Sequence, residues 1–259
     1  MMEKQRVLPI QSGLNFRELG GYPTKDGKTI KWQKILRSGY LSVLTKKDQN
    51  YLLDYGLRYV VDLRSDYEIT RNPDPRMTDV QQIPASVYPF SNRPSTSFSQ
   101  FFKRLFHKDA VKKPSALSDP YELMVLDSHA QGAFRKLFQA LLKNEEPNKA
   151  VLFHCAAGKD RTGIAAFLIL SALGVDQKTI EEDYLLSNKV LFGTTTVKTE
   201  ATNNTAINRM NQARNVDLHS LRLAAKAITS EYGDMINYLN QAMVLSNDDI
   251  AELKRLYTE

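Results

Sequence analysis

The sequence is poor in the residues that build covalent or metal-based frameworks. It has one cysteine, Cys155, which excludes an intramolecular disulfide and a cysteine-rich metal site. Its four histidines show no ligand spacing such as His-Glu-x-x-His, so we expect no metal centre. It also lacks any run of about 18 or more apolar residues, so we expect no transmembrane helix. Internal repeats and low-complexity tracts are absent as well.

The N-terminus lacks the apolar core of a signal peptide. Its first residues, "MMEKQRVLPIQSG", are partly basic but contain no stretch of about seven consecutive apolar residues. For the chain as given we expect a cytoplasmic location. Secretion stays open in case a signal peptide has been removed.

A strong excess of one charge is also missing. The 259 residues include 35 basic and 29 acidic side chains, which gives a formal net charge of +6. Such an excess favours anionic partners such as phosphate groups, lipid headgroups or nucleic acid, but it equally fits an ordinary solvated basic protein. The length allows one large domain or two small ones.

Strand-like and helical segments alternate along the chain. Residues 57–65 and 149–155 are short apolar runs that predict buried strands. The Asp-Gly dipeptide in "KDGK" at 25–28 predicts a hairpin. Helices are predicted over residues 45–56, 130–144, 162–175, 176–188 and 246–259, with Thr45, Asp176 and Ser246 as N-cap residues. This alternation predicts an α/β fold with a central, mostly parallel sheet flanked by helices.

Charged clusters follow both predicted strands. The first covers residues 62–66 and the second covers residues 155–161. Because ligands of open parallel sheets bind at the carboxyl ends of the strands, both clusters are candidate binding segments.

The second cluster, "HCAAGKDRTG", has the layout of an anion-binding loop. Cys155 lies where a strand ends and Arg161 where a helix begins, with five residues between them. Such a loop can turn its backbone N–H groups inward at a helix N-terminus, where the dipole adds about half a positive charge. Arg161 can bind two phosphate oxygens, and the same positive field favours the thiolate of Cys155. A thiolate facing a bound phosphate predicts attack on phosphorus through a cysteinyl-phosphate intermediate.

The small residues of the loop fit the same chemistry. Gly158 allows backbone geometry that a side chain would hinder, and Ala156 and Ala157 leave the mouth of the loop open. The hydroxyl of Thr162 can hydrogen-bond the thiolate and make it a better leaving group in a second step.

Three ionisable side chains flank the nucleophile. Asp160 is the nearest carboxylate, which can protonate the leaving oxygen and then activate water. Lys159 adds a cation at the rim of the pocket, suited to a second phosphate. His154 can hold the loop backbone and favour the thiolate by hydrogen bonding, with a purely structural role as the alternative.

A nucleotide-binding loop and a buried apolar cysteine both fit this segment less well. It is not a Walker A motif, because Asp160 follows the lysine where serine or threonine is needed and Phe153 stands at the first glycine position. An isolated buried cysteine is usually a small apolar residue, but that role predicts apolar neighbours on both sides. Here Gly-Lys-Asp-Arg follows the cysteine and its two alanines.

These motifs resemble a known family. "HCAAGKDRTG" is similar to the His-Cys-x5-Arg-Thr/Ser-Gly signature of the protein tyrosine phosphatase superfamily, and its Lys-Asp-Arg ending resembles bacterial tyrosine, dual-specificity and lipid phosphatases of the MptpB and LipA type. Further blocks agree from about residue 12 to the end: "NFRELGGY", "LRSG", "VVDLRSDYE", "EDYLLSN" and "EYGDMINYL". Glu18 departs from the pattern, which usually has aspartate at this position.

The resemblance implies a tyrosine-phosphatase-like fold and a role for each matching loop residue. Cys155 would be the nucleophile, Arg161 the phosphate ligand and Asp160 the general acid. Asp160 would replace the mobile Trp-Pro-Asp loop of eukaryotic relatives, because the single tryptophan, Trp32, precedes Gln33. Lys159 implies phosphoinositide activity besides phosphotyrosine, and the family implies neither a metal nor an organic cofactor.

Residues outside the loop allow two interpretations each. Asp62 and Arg64 either line the phosphate pocket and order the loop, or form a structural ion pair with Arg17 or Arg37. The acidic residues 181–183 predict a solvated face from which one side chain turns inward.

A basic and aromatic stretch precedes the second half of the chain. Phe101 to Lys113 predicts either a lid or membrane-facing patch that suits anionic headgroups, or an ordinary solvated helix. We expect a single phosphatase domain over residues 1–259, in which residues 91–120 and 189–218 are candidate lid or insertion segments. The expected partners are a phosphorylated protein or a phosphoinositide as substrate, with transient contact to an anionic membrane surface. We expect no nucleic-acid partner, and we expect the protein to be a monomer.

The sequence therefore predicts a cysteine-dependent phosphatase. Its substrates would be phosphotyrosine, with phosphoserine, phosphothreonine and phosphoinositides as extensions, or predominantly phosphoinositides. Two rivals are a rhodanese-like sulfurtransferase, which does not require the Lys-Asp-Arg-Thr ending, and a pseudophosphatase that binds phosphorylated partners. A pseudophosphatase normally loses the cysteine, the acid or the arginine, and all three are present here.

Overall fold

The structure, a computed structural model, describes residues 4–88, 119–192 and 215–259. The stretch from Phe101 to Lys113 lies outside these residues, as do all but the ends of the two candidate lid segments. Within the described ranges, no helix is long and apolar enough to cross a membrane.

Five strands form one sheet in the described part of the chain. They are β1 (Arg17–Glu18), β2 (Ile35–Ser38), β3 (Leu57–Asp62), β4 (Gln81–Pro84) and β5 (Ala150–His154), in the spatial order β1-β2-β5-β3-β4. β1 pairs antiparallel with β2, and the other three pairings are parallel. The predicted α/β class with a mostly parallel sheet is confirmed.

Helices connect and flank these strands. They are α1 (Lys46–Asp54), α2 (Asp66–Arg71), α3 (Pro120–Leu126), α4 (Ser128–Lys143), α5 (Asp160–Ala172), α6 (Gln177–Phe192), α7 (Leu218–Tyr232), α8 (Met235–Gln241) and α9 (Asn247–Tyr257). The predicted N-caps are confirmed: Thr45 and Ser246 form capping boxes, and Asp176 accepts a bond from the backbone of Thr179 at 3.0 Å. The short helix α2 was not predicted.

The central strands bury both of their faces. Alternate residues of β2, β5 and β3 divide between two apolar clusters: Ile35, Val151 and Val61 pack with α4 and α5 on one side, whereas Leu36, Leu152 and Val60 pack on the side of α1. Helix α5 is apolar nearly all round because it is buried within the larger cluster.

The register of the sheet brings three strand ends together. His154 at the end of β5 lies opposite Ser38 of β2 and Asp62 of β3. The segments that follow β2, β3 and β5 therefore meet at one edge, where a parallel sheet places its ligand site.

Glu18 anchors the sheet away from this edge. Its carboxylate is fully buried and accepts bonds from the backbone N–H groups of Gly20, Gln33 and Ile35 and from the hydroxyl of Tyr55, at 2.6 Å for the last. The residue that departs from the family pattern thus closes the β1–β2 turn region.

Candidate active site

The loop between β5 and α5 is held by its carbonyl groups. Tyr40 donates its backbone N–H to the carbonyl of Ala156 at 3.0 Å. The carbonyl of Gly158 accepts from Asn15 Nδ2 at 2.7 Å and from Arg37 Nη2 at 3.0 Å. By contrast, no backbone N–H from residues 156–158 donates to a backbone carbonyl among the described residues. Fixed carbonyls and uncommitted N–H groups at a helix N-terminus make an anion-binding nest.

The loop requires glycine at position 158. Gly158 has a φ of +68°, and a Cβ atom there would lie 2.6 Å from the backbone of Ser38 and from the N atom of Gly39. The loop therefore packs directly against the backbone of the "LRSG" block, and only glycine fits at position 158.

A buried ion cluster lies beneath the loop. The carboxylate of Asp183 on α6 pairs with Arg17 Nε at 3.2 Å and with Arg37 Nη1 at 2.5 Å, and all three side chains are at most 1% exposed. Burial opposes ionisation of Asp183, but the two guanidinium groups outweigh it and hold its pKa at about 2. One carboxylate serves two arginines, so a net positive charge remains under the loop.

This cluster corrects one expectation and confirms another. Arg17 and Arg37 pair with Asp183, not with Asp62 or Arg64. The expected inward turn of one acidic residue from 181–183 is confirmed for Asp183, while Glu181 pairs with the exposed Arg222 at 2.8 Å.

Arg161 in the first turn of α5 is oriented by a carboxylate from α2. Its Nη1 and Nη2 atoms donate to the two oxygens of Glu68 at 2.7 and 2.8 Å, and Nη1 also contacts the carbonyl of Leu63 at 3.4 Å. Among the described residues this leaves Nε–H and one Nη2–H, the side-on fork that binds two oxygens of a phosphate. Burial opposes ionisation of Glu68, but its bonds to Arg161 lower its pKa to about 2. The ring of Tyr88 covers the guanidinium, with 5.1 Å to the centroid.

A second ion cluster lies behind the nucleophile. His154 Nε2 is 2.9 Å from Asp74 and 3.7 Å from Asp62, and its Nδ1 is 3.3 Å from the carbonyl of Cys155. Burial alone would lower the pKa of His154, but the carboxylates of Asp62 and Asp74 outweigh it and raise the pKa. The imidazole therefore joins the two carboxylates to the loop backbone at Cys155.

Asp62 and Arg64 belong to this cluster and do not line the pocket. Arg64 donates from Nε and Nη2 to Asp62 and from Nη1 to the carbonyl of Asn72 at 2.8 Å. Its Nη2 also forms an ion pair with Asp74 at 2.9 Å. Since each guanidinium nitrogen is bonded within the protein, the structural ion pair is the correct alternative. The donor atoms of Asp62, Asp74 and His154 lie within 4.8 Å of one another, but both carboxylates already pair with Arg64.

The remaining loop residues occupy the expected segment with two differences. Cys155 is a free cysteine, 2% exposed, and Asp160 is the first residue of α5. Lys159 is only 4% exposed, whereas we expected a cation at an open rim. Thr162 Oγ1 is buried without a hydrogen-bond partner in the described part of the chain, so its expected bond to Cys155 is not formed in this structure.

Four polar residues at the site were not predicted from the sequence. They are Glu68, Asp74, Tyr121 and Asn15, which contact Arg161, His154, Asp160 and the carbonyl of Gly158. Asn15 and Glu68 lie in the sequence blocks "NFRELGGY" and "VVDLRSDYE", which resemble the family. That resemblance is the signal by which both residues could have been found. Tyr121 and Asp74 stand in no such block.

The fold and this loop define the class of α/β phosphatases that carry a cysteine in their phosphate-binding loop. The family model described as "Tyrosine phosphatase family" matches residues 8–259. The chain therefore belongs to the tyrosine phosphatase family, and it is a phosphatase, a hydrolase.

Individual relatives agree with this assignment. A protein of Cupriavidus necator, named provisionally as a tyrosine-protein phosphatase, is 29% identical over 94% of this chain and 85% of its own length. The triple specificity protein phosphatase PtpB of Mycobacterium tuberculosis is 29% identical over 70% of this chain and 69% of its own. A tyrosine-protein phosphatase of Nostoc commune is 30% identical over 66% of this chain and 54% of its own.

Proposed function

We propose that the protein hydrolyses phosphotyrosine in proteins through a phosphorylated Cys155. The observation that carries this proposal is the nest at the N-terminus of α5, next to the oriented Arg161. Its N–H groups, from residues 156–158, donate to no backbone carbonyl within residues 4–88, 119–192 and 215–259. This arrangement suits a phosphoryl group with three partly negative oxygens.

The first step transfers the phosphoryl group to the enzyme. The thiolate of Cys155 attacks phosphorus, so an S–P bond forms while the bond to the leaving oxygen breaks. Protonated Asp160 gives its proton to that oxygen, which leaves as the neutral tyrosine hydroxyl. The nest and Arg161 bind the three phosphoryl oxygens throughout.

The second step releases phosphate. Asp160, now ionised, accepts a proton from a water molecule as the water oxygen attacks phosphorus. The S–P bond breaks, inorganic phosphate forms, and Cys155 returns to a thiolate. The net positive charge of the cluster beneath the loop, Arg17 and Arg37 against Asp183, favours this anionic leaving group.

The proposed substrate range extends to phosphoserine, phosphothreonine and phosphoinositides. One relative is named a triple specificity phosphatase, and Lys159 supplies a cation directly beside the nest. A second phosphate on an inositol ring would be attracted by this ammonium group. Predominant phosphoinositide activity is the alternative within the same chemistry.

The mechanism is tested with Cys155→Ser on a phosphotyrosyl peptide. We expect kcat to fall by about 10⁴-fold or more while the variant still binds the peptide, because only the nucleophile is lost. Vanadate should inhibit the unchanged enzyme, and metal chelators should not. Substantial turnover by Cys155→Ser would contradict the phosphocysteine route.

The same assay with phosphoinositide vesicles and Lys159→Ala tests the substrate range. A loss confined to the lipids would support Lys159 as the ligand of a second phosphate. Equal loss on peptide and lipid would contradict this selective role. Transfer of the outer sulfur of thiosulfate to cyanide, with release of sulfite and without hydrolysis of phosphate esters, would favour the sulfurtransferase rival.

A further inference from the structure

The candidate acid Asp160 has a partner on a distant helix. Tyr121, the second residue of α3, donates its hydroxyl hydrogen to Asp160 Oδ1. The hydroxyl of Tyr184 on α6 lies 3.3 Å from that of Tyr121. The three side chains form a line of hydrogen bonds from α6 through α3 to the active-site loop.

The direction of these bonds follows from the donors available. The hydroxyl of Tyr121 has a single hydrogen, which it donates to Asp160 Oδ1. The Tyr121 oxygen then accepts the hydrogen of Tyr184. Burial, with the nearby Asp160 charge, raises the pKa of Tyr121 well above its ordinary value, and burial likewise raises the pKa of Tyr184. Both tyrosines therefore remain donors at neutral pH.

The fold holds both tyrosines in place. The N-cap residue of α3, Asp119, accepts the backbone N–H of Tyr121 at 2.8 Å, which fixes the first turn of that helix. Tyr184 packs against Gly163, where a Cβ atom would lie 2.5 Å from its ring. The neighbouring Asp183 is fixed by two buried arginines. The glycine of the "DRTG" motif thus leaves room for the tyrosine ring.

We infer that Tyr121, oriented by Tyr184, is a positioning residue for Asp160. This inference rests on the proposed function, in which Asp160 gives and then takes a proton. The bond from Tyr121 occupies Oδ1 and leaves Oδ2 to face the leaving oxygen. Tyr121 therefore holds Asp160 in the orientation that proton donation in the first step requires.

Tyr121→Phe tests this role by removing one hydroxyl and keeping the ring. We expect kcat/KM for phenyl phosphate, whose leaving group needs the proton, to fall about tenfold. The fall should be much smaller for 4-nitrophenyl phosphate, whose leaving group is stable as an anion. In an Asp160→Asn background the substitution should have no further effect. Equal losses on both substrates, or full additivity with Asp160→Asn, would overturn the inference.

Tyr238→Phe is the matched control. The Tyr238 hydroxyl also bonds α3, through the carbonyl of Val125 at 3.0 Å, but it does not contact Asp160. This variant loses a buried tyrosine hydroxyl that bonds the same helix, so it reports a purely structural effect. It should change kcat/KM equally for the two substrates, whereas Tyr121→Phe should separate them.

A direct spectroscopic measurement distinguishes failure of this inference from failure of the proposed function. The carboxyl carbon of Asp160 is followed by carbon-13 NMR in labelled protein, with the signal identified by its loss in Asp160→Asn. Tyr121→Phe should change the chemical shift of this carbon at a fixed pH, because Oδ1 loses its hydrogen-bond donor. Tyr238→Phe, which does not contact Asp160, should leave the shift unchanged. An unchanged shift in Tyr121→Phe overturns the inference even where no phosphatase activity is found.

Discussion

Single carboxylates outside the loop determine the orientation of the charged side chains within it. Glu68 is the clearest case, because it engages both Nη atoms of Arg161 and directs the remaining fork of N–H groups away from itself. Its side chain is 19% exposed, so the pair is largely shielded from solvent. An arginine held in this way loses less conformational entropy when phosphate binds.

Glu68→Gln should weaken both substrate binding and stability. We expect kcat/KM to fall about tenfold, because the neutral amide orients Arg161 less well. The folded-state pKa of about 2 lies below the ordinary value of 4.5, so Glu68 stabilises the fold fully above pH 4.5 and loses this contribution as the pH falls toward 2. The shift corresponds to about 2 kcal/mol after allowance for partial exposure. Urea unfolding at several pH values measures it.

Glu181→Gln is the control for this prediction. Glu181 forms a similar two-bond pair with Arg222, whose side chain is 61% exposed. Because exposed pairs contribute little, this variant should keep both activity and stability. Equal effects of the two substitutions would contradict the special role of Glu68.

The residues that could be predicted from sequence are those that are contiguous. Cys155 to Arg161 form one segment whose residue types already define a candidate anion site, so their roles could be proposed without knowledge of the fold. Glu68 lies 93 residues from Arg161, and Tyr121 lies 39 residues from Asp160. Such pairings depend on how helices pack, which local pattern does not encode. For the same reason, the sequence does not identify Asp183 as the partner of Arg17 and Arg37.

At the level of elements, the sequence predicts a helix where an N-cap residue is followed by a periodic apolar stripe. Helices α1, α6 and α9 begin at the predicted cap residues. Helix α2 has only six residues and buries none of them, so it lacks the apolar periodicity of a longer helix. Its Ser65–Glu68 capping box was nevertheless visible in the sequence, and that signal would have identified it.

The contact between the loop and the end of β2 leads to a prediction about these elements. Gly158→Ala should destabilise the protein by about 3 kcal/mol and strongly reduce activity. About 1–2 kcal/mol comes from a Cβ at positive φ, and the rest from its collision with the backbone of Ser38 and Gly39. Since backbone atoms cannot turn aside as a side chain can, the loop itself must move. Urea unfolding and kcat/KM measure the two effects.

Gly233→Ala isolates the contribution of the collision. Gly233 also has a positive φ, +85°, but the nearest atom to its Cβ would be Asn237 Nδ2 at an ordinary 3.6 Å. This variant should therefore show the backbone cost without the collision, and it should keep its activity. If both alanine variants lost the same stability, the close packing of Gly158 on β2 would not be the cause.

For the whole molecule, the central sheet is framed by ion clusters that join remote parts of the chain. The cluster beneath the loop connects Arg17 on β1 and Arg37 on β2 with Asp183 on α6, across 166 and 146 residues. Asn15 and Ser187 accept further hydrogen bonds from Arg17. The fold class could be predicted from alternating strands and helices, but this closure of the N-terminal segment on α6 could not, because it has no local pattern.

Asp183→Asn should therefore affect the whole fold. It leaves two fully buried guanidinium groups without a carboxylate, a change that costs about 3–5 kcal/mol in other proteins. Its pKa of about 2 lies below the ordinary 3.8, so the stabilisation is complete above pH 3.8 and lost as the pH falls toward 2. In urea unfolding the variant should be less stable at pH 7 and should approach the unchanged protein near pH 2.

Glu252→Gln is the control for this prediction. It breaks only an exposed pair with Arg255, so it should leave the dependence of the unfolding free energy on pH unchanged. A constant difference between the two proteins from pH 7 to pH 2 would show that the charge of Asp183 is not what holds these segments together.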